Sequence, residues 1–160
     1  MPIMDELITD RTQADVDALK EVLNKIKSGN FTAADMEFFK TPQKGAYNFE
    51  DLNRVGKALI FLADLLTESG YLVLVDVKTD WQMADIPRTT DIAAYLAAVK
   101  KIRDVLKIDN ALPKMPTTIL NFEQANRLEQ ILERVDFYLQ SLIAEFRFCG
   151  TFYSGEDDYR

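Results

Sequence analysis

The stretch that decides the fold is residues 48–66, NFEDLNRVGKALIFLADLL. Its apolar residues recur every three or four positions, which predicts one buried face of a long α-helix. They are Leu52, Val55, Leu59, Leu62, Ala63 and Leu66. Asn48 stands just before this pattern, where its side chain can cap the first turn, and Gly70 follows its end. The sequence therefore predicts a core helix that begins at Asn48.

The start of this helix is repeated later in the chain. Residues 48–55, NFEDLNRV, and residues 121–128, NFEQANRL, share five identical positions, and the second copy also opens an apolar stripe. Upstream, Thr9-Asp10 followed by Ala14-Asp15-Val16 recurs as Thr79-Asp80 followed by Ala84-Asp85-Ile86. The two repeats keep the same order, which suggests a duplicated helical hairpin. Capping preferences alone could also produce similar strings at two helix starts.

The remaining elements follow from the same reasoning. Helices are predicted over 12–28, after Thr32, from Ile92 to Leu106 and from Asn121 onward. Residues 71–77, YLVLVDV, favour an extended conformation, but no second alternating run exists to pair with them. The predicted fold is a single all-α domain over 1–160, an antiparallel bundle of four main helices plus one short helix. Its apolar stripes should pack together and bury Leu59 and Leu132.

Composition excludes several kinds of function. The chain carries 19 Lys and Arg against 26 Asp and Glu, a formal charge of −7, so generic binding to nucleic acid is disfavoured. It has no histidine, which removes the usual nucleophile pairs and proton shuttles of hydrolases. Its one cysteine, Cys149, permits neither an internal disulfide nor a paired-cysteine zinc site. No enzyme activity is expected.

Nothing in the sequence predicts a membrane or secretion segment. The first residues, MPIMDELITDRT, are acidic and lack the basic and apolar regions of a signal peptide. The apolar run at 58–66, ALIFLADLL, is broken by Asp64 and is too short to span a bilayer. We expect neither a cleaved signal nor a transmembrane helix.

Two groups of acids raise the question of a metal site. Those in the loop region, Asp76, Asp80 and Asp85, lack the spacing and central glycine of an EF-hand. Those on the last helix, Glu129, Glu133 and Asp136, lack the histidine ligands that four-helix carboxylate sites use. No metal or cofactor is therefore predicted.

Aromatic residues supply the candidate partner contacts. The single tryptophan, Trp81, could meet a partner surface, or it could anchor the core with its ring nitrogen hydrogen-bonded, which is the usual role beside aliphatic helices. Residues 147–160 form an aromatic and acidic tail. It could reach a neighbouring subunit as an interaction arm, or it could fold back on the bundle. We expect the second, through Phe148 and Phe152 after a sharp turn at Cys149-Gly150, which leaves Tyr153 or Tyr159 to contact a partner.

Four strings carry a family resemblance: ITDRTQADVD at 8–17, KGAYNFEDLNRVG at 44–56, KTDWQMADIP at 78–87 and FCGTFYSGE at 148–156. Together they resemble a family of small uncharacterised proteins from phages and prophages of anaerobic gut bacteria, over nearly the whole chain. The resemblance implies a gene among tail and other virion structural genes. It carries no catalytic motif over to this chain.

Two functions are expected from this combination. The first is a non-enzymatic structural or adaptor protein of a phage virion or tail, in contact with other phage structural proteins or with itself. It would be located in the virion or the host cytoplasm. The alternative is a stand-alone acidic binding module that sequesters a host factor or mimics nucleic acid. The acids would then cluster on one face, whereas Lys and Arg are interspersed along each helix.

Overall fold

The computed structural model describes residues 3–107, 112–117 and 121–151, and from residue 146 onward it describes the backbone only. Its helices are α1 Gln13–Ser28, α2 Ala33–Lys40, α3 Phe49–Glu68, α4 Thr89–Val105 and α5 Phe122–Thr151, after a 3₁₀ turn at Ile3–Glu6. These ranges contain no β-strand, and none of their helices is both long and apolar enough to cross a membrane. The predicted all-α helical bundle is confirmed.

Side-chain caps stand at the starts of α1, α2, α3 and α5. Thr12, Thr32 and Asn48 each accept a hydrogen bond from an N–H of the first helical turn, and the acid three residues later accepts one from the cap's own N–H. At the start of α5, Asn121 Oδ1 accepts from the Gln124 N–H at 2.8 Å. These bonds satisfy amides that have no partner inside the helix. The predicted caps Asn48 and Asn121 are confirmed.

The core lies between α3, α4 and α5, which all pack against one another. Leu59 of α3 and Leu132 of α5 are both completely buried, as predicted from the stripes. Other fully enclosed side chains on these three helices are Leu62, Leu66, Val99, Ile102, Ile131 and Val135. The apolar periodicity of the sequence therefore identifies the faces that meet.

The first helix stands outside this core. Its only buried residue is Val22, and it packs chiefly on the short α2. Leu23 and Ile26, two apolar residues of the same helix, are only partly buried. An eight-residue partner cannot cover a sixteen-residue stripe, so α1 contributes less to the core than the other long helices.

The segment 71–77 is extended and unpaired, as its sequence indicates. The Tyr71 N–H donates to the Leu66 carbonyl at 2.9 Å and ends α3. From there the side chains alternate, with Val73 buried and Leu72 and Leu74 exposed by 77% and 72%. This alternation has the two-residue period of a half-buried strand, but within the described ranges no second strand lies beside it.

The prediction that a non-helical tail begins at residue 147 is wrong. Helix α5 continues through Cys149 and Gly150 to Thr151, so the expected sharp turn does not occur. A glycine inside a helix costs only about 1 kcal/mol relative to alanine, which a long helix tolerates. Phe152, Tyr153 and Tyr159 lie outside the described residues, so the predicted fold-back and the two tyrosine contacts remain predictions.

Truncation of a core leucine should reveal the packing of α3. We expect Leu59→Ala to lower the free energy of unfolding by about 2–5 kcal/mol, because a fully buried side chain leaves a cavity. The adjacent Ile60 is 37% exposed and provides the control, and Ile60→Ala should cost less than half as much. Urea denaturation measures both, and equal losses would contradict the packing.

Candidate functional site

Two short arms dock on the long helices, and they are the repeated segments of the sequence. We call residues 8–12 the first arm and residues 78–82 the second arm. The first arm lies against α5, where the Arg11 N–H donates to Asn126 Oδ1 at 3.1 Å and the Asn126 side chain donates to the Arg11 carbonyl at 2.8 Å. One asparagine side chain therefore pairs with both the backbone N–H and the backbone carbonyl of Arg11. We call this pair of hydrogen bonds an asparagine clamp.

The second arm is held on α3 by the same arrangement. The Trp81 N–H donates to Asn53 Oδ1 at 2.7 Å, and the Asn53 side chain donates to the Trp81 carbonyl at 2.9 Å. Asn53 and Asn126 occupy the same place in the two copies of the NFE repeat. The correspondence extends to the arms, because each of the two clamped residues also donates a side-chain hydrogen bond to the carbonyl three residues earlier.

The docking is crossed. The first arm precedes α3 in the chain but binds α5, and the second arm precedes α5 but binds α3. The arm of each half of the duplication therefore binds the long helix of the other half. This exchange is independent support for the duplicated hairpin, because convergent capping alone would not reproduce a clamp between distant segments.

A buried ion cluster lies where the first arm meets both long helices. Arg11 Nη2 contacts Asp51 at 2.9 Å and Glu129 at 2.7 Å. Arg54 binds the same two carboxylates and lies 3.2 Å from Glu129. The side chains of Arg11 and Glu129 are 2% and 0% exposed. Two cations face two anions, which offsets the cost of burying these charges.

Two further groups complete the surroundings of Glu129. Its second carboxylate oxygen accepts from the Ile8 N–H at 2.6 Å, so the acid also fixes the arm's backbone. The Arg11 guanidinium lies over the Tyr47 ring, 5.3 Å from its centre. Burial raises the pKa of Tyr47 well above its ordinary value, and the nearby carboxylates of Glu129 and Asp51 raise it further. The hydroxyl therefore stays protonated at neutral pH.

The equivalent place in the other half is filled without charge. Gly56 corresponds to Glu129, and Trp81 corresponds to Arg11. Trp81 Nε1 lies 3.0 Å from the Tyr95 hydroxyl, which donates to the Leu52 carbonyl at 3.1 Å. A Cβ added at Gly56 would lie 2.9 Å from the Tyr95 hydroxyl oxygen. Glycine is required here because the arm and Tyr95 approach the helix so closely.

Trp81 therefore has a core role. It is 4% exposed, and its ring nitrogen is hydrogen-bonded, as expected for an anchoring tryptophan. The prediction that Trp81 contacts a partner is corrected, because a partner could not reach a ring that the second arm, α3 and α4 enclose.

The acids Glu129, Glu133 and Asp136 do not form one group. Glu129 belongs to the ion cluster, whereas Glu133 is exposed.

Beside the ion cluster, a cleft of about 490 Å³ opens between the first arm, α1, the loop at 44–47 and the start of α5. We call it the α5 cleft. Its lining includes Arg11, Lys20, Lys44, Tyr47, Asn121 and Glu123. Gly45 makes the loop's close approach to α1 possible, since an added Cβ would lie 2.2 Å from the Asp15 carbonyl oxygen.

Sequence reasoning missed Arg11, and it considered Glu129 only as a possible metal ligand. Periodicity identifies apolar faces and treats a charge among them as exposed. A usable signal was the repeat itself, because the two copies differ in charge at these positions: Arg11 corresponds to Trp81, and Glu129 corresponds to Gly56.

Comparison of the chain with models of known families, with curated proteins and with solved structures gives no match in any of the three.

Loss of the asparagine clamp should release an arm. We expect Asn126→Ala and Asn53→Ala each to destabilise the protein by about 1–3 kcal/mol, because each leaves a partly buried N–H and carbonyl without a partner. Asn24, exposed on α1, is the control, and Asn24→Ala should change stability by less than about 0.5 kcal/mol. Thermal or urea melts test this, and clamp variants as stable as the control would contradict it.

Removal of one charge from the ion cluster should be more damaging. Glu129→Gln keeps the shape of the side chain but leaves the buried Arg11 and the partly buried Arg54 to share one carboxylate, so we expect a loss of about 3–5 kcal/mol. Glu133→Gln, one turn later on the same helix and exposed, should be nearly neutral. Urea denaturation of both variants gives the comparison. A small, equal effect would show that the cluster contributes no stability.

Proposed function

We propose that this protein is a non-enzymatic structural or adaptor protein of a phage virion or tail, and that it works through protein–protein contacts. The resemblance of its four strings to phage and prophage proteins supports the setting. The surface of the molecule supports the mode of action. Its partners would be other structural proteins or further copies of itself, in the virion or the host cytoplasm.

The observation that carries the proposal is an exposed apolar face on the extended segment 71–77. Leu72 and Leu74 are exposed by 77% and 72%, although they are among the most hydrophobic side chains. Tyr71, at the start of the segment, is also 42% exposed. Exposed apolar side chains that cluster in one short segment mark interaction surfaces more often than isolated ones do.

Two open grooves share part of their lining with this segment. One, of about 590 Å³, is lined by Leu65, Tyr71, Leu139, Leu142 and Ile143 among others. The other, of about 520 Å³, lies between Leu72, Leu74 and the end of α4, with Lys101 and Asp104 at its border. An apolar centre with a polar border is the usual composition of a protein–protein contact surface.

The backbone of the segment suits the same purpose. It is extended. The Tyr71 N–H donates to the Leu66 carbonyl, the Val73 N–H donates to Thr67 Oγ1 at 3.4 Å, and the Leu74 carbonyl accepts from Lys101 at 3.1 Å. None of these bonds is to a neighbouring strand in the described part of the chain. An extended partner segment could add to such an edge with alternating side chains in the two grooves.

The acidic-module alternative has less support. Several acids on the helices are paired with lysines, as in Glu21 with Lys25 and Asp104 with Lys100, so the surface is of mixed charge. A mimic of nucleic acid needs a face of one sign, and the α5 cleft instead gathers lysines.

The test is incorporation of the tagged chain into particles during phage production. We expect Leu72→Ser with Leu74→Ser to reduce incorporation at least tenfold, because burial of each leucine contributes about 1.5–3 kcal/mol to the contact. The melting temperature should stay unchanged, since both side chains are already in solvent.

The matched control is Ile86→Ser, which alters an apolar residue that is 87% exposed but lies outside the segment. This variant should be incorporated normally. Absence of the wild-type chain from purified particles would contradict the virion role. Equal loss with Ile86→Ser would contradict the role of the apolar face.

A further inference from the structure

The start of α5 differs from the start of α3 in its electrostatics. At α3, the Asp51 carboxylate accepts from the Asn48 N–H at 2.8 Å, so an acid faces the positive end of the helix. At α5 the corresponding residue is Gln124, which carries no charge and accepts instead from the Thr117 N–H at 2.9 Å. The positive end of α5 is therefore less neutralised, and Asn121, Phe122 and Glu123 place it in the wall of the α5 cleft.

The same cleft gathers cations in an acidic protein. The chain as a whole has a formal charge of −7, yet Lys20 and Lys44 line this cleft, where Glu123 is the one acid of the lining. The charge of Arg11 is already compensated by Asp51 and Glu129. Lys44 contacts Asp10 at 2.7 Å, and both side chains are largely exposed. A lysine in an exposed pair can exchange one carboxylate for another anion at little cost.

The inner end of the cleft holds donors without acceptors. Arg11 lines the cleft with a side chain that is only 2% exposed. Its Nε and the Tyr47 hydroxyl are buried and have no hydrogen-bond partner among the described residues. Buried polar groups normally have partners, so these two mark a place where an acceptor is missing.

We infer that the α5 cleft binds a small oxyanion, a phosphate or a carboxylate, at the N-terminus of α5. The helix end supplies N–H groups and a favourable dipole, as in other anion sites of this kind. Lys20 and Lys44 supply charge, and Arg11 and Tyr47 form the inner wall. A volume of about 490 Å³ exceeds that of the anion alone, so the cleft also has room for the molecule that carries it. This inference stands apart from the apolar face and from the virion role.

The experiment is a titration of the full-length protein with inorganic phosphate and, separately, with acetate, followed by amide NMR at constant ionic strength. We expect saturable shifts of the amides at 121–123 with one or both anions. Saturation by phosphate alone assigns a phosphate ligand, and saturation by acetate assigns a carboxylate. Sodium chloride at the same ionic strength should not reproduce the shifts.

Variants with opposite expected effects on affinity separate a binding site from a structural role. Lys44→Gln should weaken binding about tenfold, whereas Asp10→Asn should strengthen it several-fold by releasing Lys44 from its pair. Lys27→Gln, exposed at the other end of α1, should leave the affinity unchanged. All three positions are at the surface, so the variants should fold.

Three results would overturn the inference. One is the absence of saturable shifts with either anion at tens of millimolar. Another is weaker binding in Asp10→Asn, because competition between Asp10 and the ligand requires the opposite. The third is an equal loss of affinity in Lys27→Gln and Lys44→Gln, which would show a general charge effect.

Discussion

The contact between Arg11 and Glu129 is the interaction on which the rest of the structure depends. Both side chains are almost entirely removed from water, and such charges are tolerated only when their partners are in place. Asp51 and Arg54 are those partners, and they come from α3. The first arm, α3 and α5 each contribute to this cluster, and only the three together supply the full set of two cations and two anions.

The two halves dock their arms in equivalent positions but surround them with different side-chain chemistry. Asn53 and Asn126 clamp their arms by the same pair of hydrogen bonds, but the space beside each clamp is filled differently. One half has Gly56 with an aromatic ring against it, and the other has Glu129 with a guanidinium. A neutral, close-packed contact needs no particular partner charge. The ionic contact accepts only a matching cation, so it adds specificity to the pairing of the halves.

Much of the helical architecture could be predicted from the sequence, because its signals are local. The caps at Asn48 and Asn121 and the apolar stripes with Leu59 and Leu132 each depend on residues within a few turns. The crossed docking could not be predicted, since it joins Arg11 to residues more than a hundred positions away. The continuation of α5 past Gly150 was missed for another reason: the tail lacks an apolar period, although a helix can extend on its own hydrogen bonds.

The charges of the ion cluster do not set the charge of the surface beside it. Its two cations and two anions cancel, so the positive character of the α5 cleft comes from Lys20, Lys44 and the helix end rather than from the core. Those lysines are exposed, and substitutions there leave the buried pairs intact. The apolar side chains of Leu72 and Leu74 are likewise outside the core. Selection can therefore change what either surface binds without altering the contacts that hold the two halves together.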